Sequence, residues 1–196
     1  GDSRVDGTGK IAFPDRPAQN RPEARMVFVD DEGATFKLKD NEKNETMRIT
    51  PQVSMELQAA LGTDIIFAFD QCHTKKSYSD TMQIMERSHL WERLSLEHHD
   101  PKQAIYGIVH GGQYKDLRVK SAEFVNQHEF DGVSVGGYLG ESKYEKRQII
   151  DFALRALDKN RPVHLLGLGR IDDLFDGVEQ GIDTFDCVEI TKLGRH

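Results

Sequence analysis

The pattern of hydrophobic and polar positions along the chain changes near residue 50. Before that point apolar residues are sparse, and Gly, Pro, Asp and Arg crowd the first 25 residues, which predicts a long irregular segment. Two short runs, 26–29 and 34–38, predict the strands of a hairpin with its turn at 31–33. We therefore predict an irregular N-terminal segment over residues 1–49 that contains this hairpin, followed by a regular portion over residues 50–196.

From Thr50 onward, short apolar runs alternate with longer segments whose apolar residues recur at helical spacing. Thr50 and Pro51 are typical of a helix cap and first turn, and Gly62 ends that helix. Continuous apolar runs such as DIIFAF are typical of strands covered on both faces. The predicted strands are 64–69, 104–109, 132–135, 163–166 and 184–188, and the predicted helices between them are 79–96, 114–126, 143–157 and 171–180.

Five strands, each separated from the next by one helix, predict an α/β fold with a parallel sheet. A complete TIM (β/α) barrel has eight strands and about 250 residues. This chain has 196 residues and supplies five or six strands. We therefore expect an incomplete TIM barrel whose N-terminal strands are missing, and a doubly wound open sheet is the alternative.

The predicted strands lead into polar or glycine positions, namely Asp70, His110, Gly137, Gly167 and Asp186. In a TIM barrel the carboxyl ends of the strands form the face that carries the active site. Asp186 stands in an apolar run, and a carboxylate at the end of a buried strand is costly unless it is paired or functional. A helix cap or a structural ion pair is the alternative interpretation of Asp186. The basic loop predicted after this strand could meet a phosphate.

Composition limits the class of protein. The chain is 37% hydrophobic and 30% charged, which is sufficient for one globular domain with a sizeable core. No apolar run approaches the roughly 20 residues of a membrane span, and no signal segment opens the chain, so we predict no membrane partner. The net charge of −7 argues mildly against a nucleic-acid partner, although a local basic patch can override an acidic total.

The cysteines and histidines predict neither a disulfide nor a metal site in this chain. Cys72 and Cys187 are far apart, and no CxxC pattern exists, which favours free thiols in a reducing, cytoplasmic protein. The run His98-His99-Asp100 could suggest a metal site. Such residues at the end of a helix are more often solvated or face the helix dipole.

Five motifs occur in order: FDQC, YGIVHGG, DGVSVGG, HLLGLG and FDCVEITKLGR. Together they resemble the tRNA-guanine transglycosylase (queuine tRNA-ribosyltransferase) family, from about residue 32 to residue 196. Each motif alone is weak, whereas five in register with matching gaps are specific. The resemblance implies a TIM barrel that replaces the wobble guanine of tRNA bearing a GUN anticodon with a free 7-deazaguanine base, queuine or its precursor. It also implies chemistry without a redox cofactor.

The resemblance also implies residue roles. Asp186 corresponds to the nucleophile, which forms a covalent aspartyl-ribosyl intermediate as in retaining glycosidases. Asp2 corresponds to the general acid/base, although Arg4-Val5 replace the glycines of that family motif. Asp70 would accept hydrogen bonds from N1–H and the 2-amino group of guanine. The implied base-binding residues are Asp70, Cys72, His110, Gly136, Gly137, Tyr138 and Leu166. The implied tRNA-contacting residues are Gly167, Leu168, Gly169, Arg170, Ile171, Asp172, Asp173, Thr191, Lys192, Leu193, Gly194 and Arg195.

The chain departs from the family pattern at several positions. His110 replaces a glutamine that donates to the base carbonyl, and it either donates from one ring nitrogen or packs as a neutral structural histidine. Tyr138 replaces leucine, Leu166 replaces methionine, and Lys192 replaces arginine, which loses the planar fork. The zinc site of three cysteines and one histidine would follow residue 196. We therefore predict no metal in this chain, and a structural zinc and a homodimer in the full-length protein.

Two other functions remain open at this point. One is a non-catalytic paralogue that serves as the partner in a heterodimer, which the His110 and Tyr138 changes favour and the retention of Asp70 and Asp186 disfavours. The other is a barrel glycosidase or nucleosidase that uses the same two carboxylates on a small molecule. The acidic net charge favours the second alternative, and the loop over residues 191–195 disfavours it.

Overall fold

A computed structural model describes residues 27–37 and 46–194 of the chain. Asp2, Arg195 and the irregular segment predicted over the first 25 residues lie outside the described residues. Within them, the strands are β1 Val27–Val29, β2 Ala34–Lys37, β3 Thr46–Ile49, β4 Ile65–Phe67, β5 Ala104–Val109, β6 Gly132–Val135, β7 Val163–Leu165 and β8 Thr184–Phe185. The helices are α1 Pro51–Leu61, α2 Tyr78–His98, α3 Lys115–Asn126, α4 Lys143–Leu154, α5 Ile171–Gln180 and α6 Glu189–Leu193.

The first three strands form an antiparallel sheet in the order β1-β2-β3. The predicted hairpin is present, with Val29 paired to Ala34 across a turn in which Asp30 accepts hydrogen bonds from the N–H groups of Glu32 and Gly33. The third strand was not predicted, because its sequence follows a charged turn and shows no clear alternation. It is held by pairing with β2 from Ala34↔Ile49 to Lys37↔Thr46.

The other five strands form one parallel sheet in the order β4-β5-β6-β7-β8. Each strand is followed by a helix, and the order never reverses along the sheet. A doubly wound sheet reverses its order at a switch point, so the described strands favour the predicted barrel over the alternative. The result is an α/β fold with a curled parallel sheet, which fits part of a TIM barrel.

Alternate residues of these strands face the helices, as the period of two requires. The hydrophobic core lies between the sheet and the helices, and it includes Ile66, Ile105, Val109, Val133, Val135 and Leu165 from the strands. Helix residues such as Met55, Val125 and Ile149 complete it. The opposite side of the sheet carries a second set, in which the ring of Phe67 lies 5.7 Å from Tyr106 and 5.1 Å from His164.

Several boundaries differ from the predictions. Strand β8 ends at Phe185 rather than at residue 188, and the predicted basic loop contains the short helix α6. The prediction of a longer strand was wrong because β8 pairs only with β7, and that ladder ends at Leu165↔Phe185. Helix α4 ends at Leu154, since Arg155 occupies its C-cap position. Strand β7 likewise ends one residue earlier than predicted.

Candidate active site

A cavity of about 700 Å³ opens at the carboxyl ends of the parallel strands. The loops after β4, β6, β7 and β8 line it, which is the face where parallel α/β sheets bind ligands. Its lining brings together six of the predicted base-binding and catalytic residues: Asp70, Cys72, Gly137, Tyr138, Leu166 and Asp186. His73, Thr74, Lys75, Leu139, Gly140, Glu141, Gly167 and Leu168 complete it.

Asp186 follows β8 directly, and its side chain is 55% exposed. The prediction of a buried strand is wrong here, because β8 is exposed at Thr184 and only half-buried at Phe185. Its Oδ1 accepts a hydrogen bond from Gly167 N–H at 2.8 Å and lies 3.1 Å from His164 Nε2. Both contacts fall on one oxygen, Oδ1, and together they orient the carboxylate.

His164 connects Asp186 to the interior of the sheet. Its ring is largely buried on β7, with Nδ1 lying 2.8 Å from Thr184 Oγ1. A histidine held at both ring nitrogens has little freedom to rotate, so it fixes the position of Asp186 Oδ1. Sequence reasoning missed this role. The signal was present, because His164 lies within the predicted strand 163–166 and Asp186 within the next predicted strand, 184–188.

Asp70 enters the cavity from the loop after β4, with its side chain 26% exposed. Burial raises the pKa of Asp70 to about 6, since the surroundings disfavour the charged carboxylate. Beside it, Cys72 is an exposed free thiol, and Cys187 is also free, as predicted. Burial and the charge of Asp70 raise the pKa of the Cys72 thiol, so it stays protonated at neutral pH.

His110 is fully buried behind the cavity at the end of β5. Its Nε2 lies 3.6 Å from Asp70 Oδ2 and 3.5 Å from Glu92 Oε1, and neither ring nitrogen has a hydrogen-bond partner among the described residues. Burial lowers the pKa of His110 well below its ordinary value. The backbone N–H of His110 donates to Ser121 Oγ at 2.9 Å, which fixes the residue against α3.

The backbone around Gly137 forms the floor of the cavity. Gly137 has φ +73°, a conformation that glycine adopts without strain. A Cβ placed there would lie 3.9 Å from both His110 Nδ1 and His73 Nε2. His73 Nε2 is buried and has no hydrogen-bond partner among the residues that the structure describes, while its Nδ1 lies 2.6 Å from the Thr74 carbonyl. His73 was not predicted as a site residue, although it directly follows the FDQC motif.

Arg118 of α3 holds this floor in place from below. Its guanidinium is fully buried and donates to four backbone carbonyls: Val109 at 2.8 Å, Gly112 at 2.9 Å, Gly136 at 2.9 Å and Tyr138 at 2.8 Å. Burial lowers the pKa of Arg118 to about 9, which leaves it charged at neutral pH. Sequence reasoning missed Arg118. An arginine on the apolar stripe of a predicted helix, between Leu117 and Ala122, was the available signal.

The predicted tRNA-contacting residues form two neighbouring segments. Residues 167–173 run from the loop after β7 into α5, and residues 191–194 belong to α6 and the turn after it. A second cavity of about 330 Å³ lies between them, lined by Lys146, Arg170 and Lys192 among others. Arg170 Nη2 lies 3.3 Å from Glu189 Oε1, which connects the segments, and Lys146 pairs with Asp173 at 2.8 Å.

Residues 27–37 and 46–194 show neither a cluster of metal ligands nor a membrane-spanning helix. No group of three or more His, Cys, Asp or Glu side chains in these ranges is arranged to hold a metal ion. In the same ranges, no helix combines the length and the apolar character needed to cross a bilayer. The cofactor-free chemistry, the zinc of the full-length protein and the cytoplasmic location remain predictions.

The fold and the cavity define an α/β protein with two carboxylates at the carboxyl ends of a parallel sheet, the face at which barrel proteins bind their ligands. The family model described as queuine tRNA-ribosyltransferase matches residues 19–196. The chain belongs to this family.

Curated relatives show the same similarity. A protein of Archaeoglobus fulgidus is 42% identical over 92% of this chain and 44% of its own length. The queuine tRNA-ribosyltransferase of Roseiflexus sp. is 40% identical over 92% of this chain and 48% of its own length. The queuine tRNA-ribosyltransferase of Buchnera aphidicola subsp. Schizaphis graminum is 39% identical over 86% of this chain and 47% of its own length. The chain therefore spans about half the length of the curated relatives that it matches.

Proposed function

We propose that the protein exchanges the wobble guanine of tRNA for a 7-deazaguanine base, and that this chain carries the base pocket and the nucleophile. The observation that carries the proposal is that Asp70 and Asp186 line the same cavity at the strand ends. Family membership supports tRNA as the substrate. The same proposal includes tRNA with a GUN anticodon as the substrate, queuine or its precursor as the incoming base, and a homodimer of the full-length protein.

In the proposed reaction, Asp186 Oδ2 attacks C1′ of the ribose and forms a glycosyl ester. The bond from C1′ to N9 of guanine breaks, and its electron pair leaves with the base, which takes up a proton. The incoming base then loses the proton from the corresponding nitrogen, attacks C1′ and releases the Asp186 carboxylate. Asp2 is the predicted general acid/base for both proton transfers.

Asp70 recognises the base in this proposal. Its ionised carboxylate accepts from N1–H and the 2-amino group, while the peptide at Gly137 and the side chain of Leu166 contact the ring. Lys192, Arg170 and Lys146 lie at the second cavity, where they can meet the phosphates that flank the exchanged nucleotide. Incorporation of labelled guanine into tRNA by the full-length protein tests the function. It also separates this proposal from a non-catalytic paralogue and from a small-molecule nucleosidase.

Replacing Asp70 with Asn should weaken guanine binding by about 1–3 kcal/mol, or roughly 5- to 150-fold, because one acceptor becomes a donor that faces N–H groups. The dissociation constant of guanine, measured by calorimetry, checks this. Asp64→Asn, which changes an exposed carboxylate at the amino end of the same strand, is the matched control. Equal guanine affinity in the Asp70 variant and the control would remove Asp70 from the pocket.

Base binding should also depend on pH through Asp70. Because the pKa of Asp70 is raised to about 6, the carboxylate is ionised above that pH and becomes neutral below it. Guanine affinity should therefore fall as pH decreases through 6, by about tenfold per pH unit once the acid form dominates. Binding titrations between pH 5 and pH 8 measure this, and the Asp70→Asn variant should lack this dependence.

A further inference from the structure

Glu92 is a carboxylate of α2 that has no exposed surface and no role in the site described so far. Its Oε2 accepts a hydrogen bond from the N–H of Ile108 at 3.4 Å. Ile108 lies beyond the last paired residues of β4 and β5, Phe67 and Tyr106. Its Oε1 lies 3.5 Å from His110 Nε2 and has no hydrogen-bond partner among the described residues. A buried carboxylate with one unpaired oxygen needs a functional or structural explanation.

The two ring nitrogens of His110 face different surroundings. Nε2 faces Glu92 and Asp70, whereas Nδ1 faces Gly137 at the floor of the base cavity. A neutral imidazole carries one N–H, so the proton on one nitrogen decides the role of the other. If Nε2 carries it, Nδ1 can only accept a hydrogen bond in the cavity. If Nδ1 carries it, His110 can donate to a base carbonyl.

We propose that Glu92 is a neutral carboxylic acid that donates its proton in a hydrogen bond to His110 Nε2, so that Nδ1–H of His110 is directed at the carbonyl of the base. Glu92 is then a positioning residue that sets base specificity through His110. This inference rests on the proposed function, because it assigns a role within the same base pocket.

The electrostatics of the cluster agree with this assignment. Burial raises the pKa of Glu92 well above its ordinary value, and the nearby Asp70 charge raises it further. His110 is kept neutral by burial first, and then by the neighbouring His89, Arg118 and His73. Two acids this close do not both ionise readily. Asp70 is the more exposed of the two, so it carries the charge that the base requires, while Glu92 keeps its proton.

Two substitutions of Glu92 separate a proton donor from a packing residue. In Glu92→Gln, the amide oxygen can accept the Ile108 N–H while the NH₂ group faces His110 Nε2, which preserves the Nδ1–H form. In Glu92→Met, the apolar side chain has a similar length but can neither accept from the Ile108 N–H nor donate to His110 Nε2. We expect kcat/KM for guanine exchange to stay within about threefold in the Gln variant and to fall about tenfold or more in the Met variant.

A modified base tests specificity rather than stability. 6-Thioguanine keeps the N1–H and 2-amino groups that Asp70 binds, but its sulfur is a poorer acceptor than the carbonyl oxygen. The preference for guanine is the ratio of kcat/KM for guanine to kcat/KM for 6-thioguanine. This ratio should be retained in Glu92→Gln and fall towards one in Glu92→Met. In a His110→Gln background, the glutamine supplies its own amide donor. The Glu92→Met change should therefore no longer alter the preference.

The tautomer of His110 can be read directly by nitrogen NMR of the histidine rings, with the signal assigned by its loss in His110→Gln. We expect Nδ1 protonated in the wild type and in Glu92→Gln. A ring protonated at Nε2 would overturn the inference, and so would a Gln variant as impaired as the Met variant. If Glu92→Met fails to fold, the Gln variant and the NMR signal decide. Failure of the wild type to exchange guanine counts against the proposed function, whereas the tautomer measurement does not depend on exchange.

Discussion

Replacing Arg118 with Met is expected to lower the free energy of unfolding by about 2–5 kcal/mol. The guanidinium donates to the carbonyls of Val109, Gly112, Gly136 and Tyr138, so its removal leaves buried acceptors unpaired in the loops after β5 and β6. The loss is smaller than four full hydrogen bonds. The reason is that the buried cation has no carboxylate partner in the described part of the chain, and removing it also relieves its desolvation.

Urea unfolding followed by circular dichroism measures this difference. Lys120→Met is the matched control, because it removes an exposed cation from the same helix, where Lys120 pairs with Glu86 at 3.2 Å. The control should change stability by no more than about 0.5 kcal/mol. Arg118→Lys should fall between the two, since an ammonium group has three donors and cannot span four carbonyls. An Arg118→Met variant as stable as the control would show that the four contacts contribute nothing.

The same substitution should impair the base pocket even where the protein remains folded. Gly136 and Tyr138 flank Gly137, so the peptide that forms the cavity floor would lose the hydrogen bonds that Arg118 donates on either side of it. A displacement of about 1 Å in a positioning group can cost about 100-fold in rate. We therefore expect Arg118→Met to lose guanine exchange at temperatures at which its circular dichroism spectrum is still native.

The parallel sheet could be predicted from the sequence because its strands are continuous apolar runs. These runs are bounded by glycines and by segments whose apolar residues recur at helical spacing. The five predicted strands are those of the sheet, and their order along it follows the chain. The termini of elements were less predictable. Strand β8 and helix α6 show this, because the apolar residues after Phe185 continue the pattern while the pairing partner has already ended. The number of residues that two strands pair is set by the tertiary structure, so the apolar pattern of one strand does not reveal it.

The residues facing the cavity could be predicted by resemblance, whereas those behind it could not. Asp70, Gly137 and Asp186 stand in motifs at strand ends. Glu92 and Arg118 lie on helices, and their importance depends on distances to His110 and to backbone carbonyls that only folding creates. A polar residue on an apolar helical stripe was the only local sign of either one.

Asp186→Asn is expected to have the largest effect on chemistry. An amide is a poor nucleophile and cannot carry the glycosyl ester, so exchange should fall by about 10⁴-fold or more. The full-length protein should form a covalent tRNA adduct that survives denaturation when no reactive free base is present, and the variant should not form it. Gel electrophoresis of denatured protein with labelled tRNA measures the adduct directly.

The fold and the tRNA affinity of this variant should change little. Asparagine nearly matches aspartate in volume, its carbonyl oxygen can still accept from Gly167 N–H, and the side chain is 55% exposed. Lys192 and Arg170 are unchanged, so tRNA should still bind with a salt-dependent affinity. Asp158→Asn, at an exposed position after α4, should form the adduct normally. An Asp186→Asn protein that still forms the adduct would show that another residue attacks the ribose. The contacts of Asp186 to His164 and Gly167 would then be structural, serving only to hold the ends of β7 and β8 together.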